Sequence, residues 1–147
     1  MFPRSITWIL IALVAFAVGA TAQDQQKVIK HVPVKDTSPA SGQEMYTNYC
    51  AVCHGKDARG GGIITSALRH TPPDLTRYTA RNGGVFPRDR VYRIIDGRDV
   101  ATHGDRDMPI WGDAFSKSRK GLSEAEVKER IEAIVRYLEA IQERAAE

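Results

Sequence analysis

Only two of the 147 residues are cysteine, Cys50 and Cys53, so no framework of disulfides can hold this chain together. No segment alternates apolar and polar side chains over the length of a strand, and nothing reads as a sheet. Charge of neither sign dominates. Lys and Arg number 21 against 18 Asp and Glu, and Arg4 is the only charged residue among the first 22, which leaves 20 basic against 18 acidic beyond them. A balance so near neutral excludes nucleic acid as a partner by charge. The single long apolar run, Ile6 to Val18, falls short of the roughly 20 residues that a membrane-spanning helix needs.

That run follows Arg4 and precedes the small residues Ala20-Thr21-Ala22, the layout of a secretory signal. Residues 1–22 are therefore expected to be a signal peptide cleaved after Ala22, which places the protein in the periplasm; if uncleaved, the run would tether it to the membrane. No cysteine follows the small residues, so a lipid anchor has no attachment point. Residues 23–41 contain Pro33, Pro39 and three lysines without a sustained apolar period, and read as an extended arm or linker. Residues 42–147 are enough for one small domain and too few for two.

Three helices are expected in that domain. A short one runs from Gly42 to Tyr49, with Met45, Tyr46 and Tyr49 at helical spacing. A second begins near Pro87, buries Val91, Ile94 and Ile95, and stops at Gly97. The last starts at Ser123, whose hydroxyl and Glu126 form a capping box, and carries the stripe Val127, Ile131, Ile134, Val135, Leu138 and Ile141. Between them Gly60 to Gly62 and Pro72-Pro73 mark long loops. So little helix with so much loop buries a small core, and a large apolar cofactor would complete it.

The stretch Cys50-Ala51-Val52-Cys53-His54 names that cofactor. Two thiols separated by two residues can each add across a porphyrin vinyl group, and the histidine that follows can ligate the iron. A thioredoxin-like dithiol would need a strand-helix context and gives no reason for His54. A zinc site would need two more ligands at finger spacing, and His31, His70 and His103 are scattered. One covalent haem c, held through Cys50 and Cys53, is the expectation. Covalent haem is fitted outside the cytoplasmic membrane, as the export signal implies, and an apoprotein lacking it should be poorly folded.

An iron with two axial ligands needs a second donor, and Met108 in Asp107-Met108-Pro109-Ile110-Trp111-Gly112 lies on no helical stripe, as a core methionine would. Its thioether is a soft donor suited to iron, and Met/His ligation raises the reduction potential. Met45 and His103 are the competitors. Trp111 can offer its indole N–H to a propionate or serve only as packing. Arg88, Arg98 and Arg106 are candidate propionate partners among which the sequence does not choose.

These features resemble the class I (mitochondrial-type) cytochromes c, and more closely the bacterial periplasmic monohaem members with a Met-Pro-x-Trp-Gly loop, over about residues 41 to 142. The resemblance implies an all-α class I cytochrome c fold of three to four helices and long loops wrapped around one covalent haem c. Gly42, Tyr46 and Cys50 match the family's first-helix pattern, and Ile134 and Tyr137 stand where its last helix crosses the first, with small Gly42 allowing close approach. Pro73-Asp74-Leu75 matches the segment whose proline carbonyl accepts a hydrogen bond from the proximal histidine, here His54, although Pro72-Pro73 also reads as a rigid turn. The implied protein is no enzyme. It is a periplasmic, monomeric electron carrier between respiratory partners, such as an oxidase, a dehydrogenase or a quinol-oxidising complex. The alternatives are a haem-bearing subunit of a dehydrogenase or terminal oxidase, and a haem enzyme or gas sensor with a displaceable distal ligand.

Overall fold

Ser41 starts the first helix by accepting a hydrogen bond on its hydroxyl from the Glu44 amide, 3.1 Å away. In this computed structural model, helix α1 (Gly42–Met45) passes without a break into a π-helical stretch, Tyr46–Cys50, and then into α2 (Ala51–His54). The structure describes residues 36–99, 108–118 and 120–143, all within the compact unit Val32–Glu147. The expected signal peptide, residues 23–35 of the arm, His103 and Arg106 lie outside the described residues.

The helix thus continues past Tyr49, where its end was expected, and carries both cysteines and His54. No helix breaker occurs before Gly55, whose φ of 80° ends α2. Within it, the Ala51 amide donates to the carbonyl of Tyr46, five residues back, which widens the turn that bears Cys50.

After Gly55 the chain runs mainly as loop, with 3₁₀ turns at Thr65–Ala67 and Leu75–Arg77 and a short helix, α3 (Tyr78–Arg81). Helix α4 (Arg88–Asp96) starts after Pro87 and ends at Gly97 with φ 69°, as its sequence indicates. Helix α5 (Trp111–Ser116) occupies a stretch that reads as loop, and α6 (Glu124–Ala140) follows the Ser123–Glu126 capping box. Among the described residues there is no strand, and the fold is all-α: three longer helical rods, with short helices and turns added to the three or four expected.

Helix α6 packs against α1, α4 and α5. Its stripe is buried through Val127, Ile131, Ile134, Val135 and Leu138, while Ile141, past its end, is half-buried. The crossing with α1 is close, and just beyond it Tyr46 packs against Tyr137 with ring centroids 5.3 Å apart and the planes inclined at 43°.

The end of the arm also docks. Thr37 is buried, shares a hydrogen bond with the Tyr49 hydroxyl, and receives two from the buried Arg130 guanidinium, to its hydroxyl and its carbonyl, each 3.1 Å. Arg130 also lies over the Phe115 ring, 5.9 Å from its centroid.

Candidate functional site

A cavity of about 470 Å³, in the size range of cofactor pockets, opens among α2, the loop before Leu75, α4, the Met108–Trp111 stretch and α6. Cys50, Cys53, His54, Pro73, Met108 and Trp111, the six residues singled out in the sequence, all line it. Val91, Ile94 and Ile95 of α4 and Ile134 and Leu138 of α6 supply apolar surface.

Cys50 and Cys53 are not joined in a disulfide. In the chain before haem attachment, burial, and then the neighbouring Cys53, push the Cys50 thiol up to about 12. The helix that carries them is fixed from behind, because the buried Tyr46 hydroxyl donates to the Gly55 carbonyl at 2.7 Å. Burial raises the Tyr46 phenol far above its ordinary value, with Cys50 adding to the shift, so it stays a donor.

The loop beyond His54 clamps the Pro72-Pro73 segment. The Gly60 amide donates to the His54 carbonyl at 2.8 Å, and a β-carbon on Gly60, whose φ is 92°, would lie 2.1 Å from the Pro72 carbonyl oxygen. The Leu75 amide donates to the Ala58 carbonyl at 2.8 Å. Asp74 caps the following turn, accepting from the Thr76 amide and hydroxyl at 2.9 and 2.6 Å. Pro73 is therefore held at the cavity by contacts with the loop that follows His54.

Trp111 is buried, with ring centroids 5.4 Å from Tyr49 and 5.5 Å from Phe115, and it lines the cavity as well. Met108 is half-buried and packs against the core. Its competitor Met45 is fully buried, lies 3.8 Å from an Arg130 nitrogen, and does not line the cavity. Of the arginines named as candidate propionate partners, Arg88 pairs with Glu132 and Glu139 of α6, and Arg98 with Asp96 and Glu124. Arg106 is outside the described residues.

Leu68, His70, Thr71 and Tyr78 also line the cavity and were not anticipated. The first three sit in a loop with no periodicity, so no local signal marks them. Tyr78 opens α3, a single turn without an amphipathic pattern of its own.

A flat apolar cofactor with two attachment points fits this donor set, since two thiols, an imidazole and a thioether converge on largely apolar walls. Among the described residues no three His, Cys, Asp or Glu side chains gather in a group that could hold a bare metal ion. Residues 37–138 match the family described as cytochrome C oxidase, cbb3-type, subunit III. The match runs from the docked end of the arm almost to the end of α6. No solved structure matches the chain.

Proposed function

The chain belongs to the cytochrome c oxidase, cbb3-type, subunit III family, so it is a cytochrome c protein that carries covalent haem c and transfers electrons, and from that premise we propose that it is an exported monohaem carrier in which His54 and Met108 would ligate the iron. Haem c supplies a one-electron ferric/ferrous couple. Cys50 and Cys53 hold the group by thioether bonds and His54 offers its imidazole from the same helix. Met108 offers its thioether from the stretch before α5. Pro73 and Trp111 line the same cavity; the hydrogen bond expected from His54 Nδ1 to the Pro73 carbonyl is not made in this structure. If His54 and Met108 both ligated the iron, the protein would leave no open position for oxygen or substrate, which favours a carrier over an enzyme or gas sensor.

The observation that carries this reading is the convergence of Cys50, Cys53, His54 and Met108 on one apolar cavity. The layout of residues 1–22 supports export to the periplasm with cleavage after Ala22. Among the described residues no helix is long and apolar enough to cross a membrane. Mass spectrometry of the purified protein should find a chain beginning at Gln23 with one haem attached; haem released intact by acid-acetone would refute the covalent link.

The family's description favours a second reading, in which the chain is a fixed subunit of a terminal oxidase. Native-size analysis separates the two. A free carrier runs as a monomer exchanging electrons with respiratory partners, whereas a subunit runs with the complex.

A further inference from the structure

Gly97, at the end of α4, packs on Ile110, just before α5: a β-carbon there would lie 3.4 Å from the Ile110 Cα, an ordinary contact distance, and the φ of 69° is what favours glycine. Gly112, in the first turn of α5, sits tighter: a β-carbon there would lie 2.1 Å from Asp96 Oδ1 and 2.5 Å from Arg98 Nε. The seat under Gly112 is therefore made of two charged side chains.

Those charges form a chain. Asp96 is buried at the end of α4 and accepts from Arg98 Nε at 2.8 Å. Arg98 Nη1 donates to both oxygens of Glu124, at 2.8 and 2.9 Å, in the first turn of α6. These hydrogen bonds, that to Glu124 first, hold the guanidinium above its already high ordinary value. A planar guanidinium can reach both carboxylates at once, which an ammonium cannot. None of the three residues lines the cavity. Met108 does, and it lies two residues before Ile110 and four before Gly112.

We infer that Asp96 and Arg98 are positioning residues for Met108: by seating Gly112 at the start of α5, they hold the Met108 thioether in the cavity against exchange with external ligands. The inference rests on the assignment of Met108 as ligand. A thioether is a weak donor, and its hold depends on how closely the chain confines it. Loosening the seat lowers the effective concentration of the thioether and lets a competing base enter.

The test titrates ferric holoprotein with imidazole and follows loss of the weak sulfur-to-iron absorption. Arg98→Gln should bind imidazole at a concentration on the order of tenfold lower than the wild type, the scale of losing one charge-assisted hydrogen bond. Gly112→Ala, which pushes on the same pair, should shift it in the same direction, and Arg98→Lys should fall between. Glu124 is exposed, so Glu124→Gln tests the outer contact without threatening the fold and should give a smaller shift of the same sign. Haem content and helical circular dichroism should be unchanged. Wild-type imidazole binding in both Glu124→Gln and Gly112→Ala would overturn the inference even if Arg98→Gln failed to fold. If Met108→Ala retains the sulfur-to-iron band, the ligand assignment itself fails, and the inference falls with it.

Discussion

Gly42 and Ala133 meet so closely that a β-carbon on Gly42 would lie 2.0 Å from the Ala133 carbonyl oxygen and 2.9 Å from Tyr137 Cβ. Both obstacles belong to or adjoin the backbone of α6, so they cannot swing aside as a side-chain tip would. The helix that bears the cysteines and His54 is thus set against α6 at a distance only glycine permits. Gly42→Val should lower stability by at least ~3 kcal/mol, read as the midpoint of chemical denaturation, and Gly42→Ala should lie between. Full stability in Gly42→Val would show that the contact is looser than its geometry.

Thr37 and Arg130 give a second test, this time of the arm. The buried guanidinium donates two of its hydrogen bonds to Thr37, one to the carbonyl and one to the hydroxyl. Thr37→Ala removes that acceptor and also the hydroxyl bonded to Tyr49, which lines the cavity. The expected loss is ~1–3 kcal/mol in denaturation, because a buried donor is left without its partner. A chain truncated before Ser41 should lose at least as much, whereas an arm that ended in solvent would cost nothing.

Asp74 carries a pH dependence. Burial works to raise its carboxyl, but hydrogen bonds from the Thr76 hydroxyl and amide, with Arg59 and Arg81 nearby, outweigh it and hold the group below the ordinary carboxylate value. A depressed folded-state value adds stability that is complete above the unfolded value and disappears as pH falls through the folded one. Wild type should therefore exceed Asp74→Asn in stability at neutral pH, and the difference should shrink in strong acid. A difference that held constant or grew on acidification would contradict this.

Cys50→Ala and Cys53→Ala should each sharply reduce holoprotein, measured as haem per chain. The remaining apoprotein should be poorly folded, since the cavity of about 470 Å³ would collapse or fill with water in the middle of the core. Normal haem yields from both variants would count against covalent attachment.

Local chemistry made part of this protein legible in its sequence. The capping box at Ser123 and Glu126, the α6 stripe and the Gly97 stop depend on neighbours a few residues apart, and each stands as its pattern indicates. Cys-x-x-Cys-His declares its own chemistry. Helix α5 was illegible because Trp111-Gly112-Asp113 follows a proline and contains a glycine that is there to fit Asp96 and Arg98, a contact between distant elements. For the same reason the ion pairs of Arg88 and Arg98 were illegible: the carboxylates that engage them lie 26 to 51 residues away, apart from Asp96. Leu68, His70 and Thr71 reach the cavity through a loop whose path the Gly60–Pro72 contact sets.

The ferric spectrum and reduction potential of Met108→Ala, measured beside wild type, test the central assignment most directly. Wild type should be low-spin, show the weak sulfur-to-iron absorption at the red end, and leave carbon monoxide unbound when reduced. Met108→Ala should lose that band, fall in potential and bind carbon monoxide readily, because its thioether donor is gone. A Met108→Ala protein with the wild-type band, potential and indifference to carbon monoxide would place the second ligand elsewhere and contradict the account.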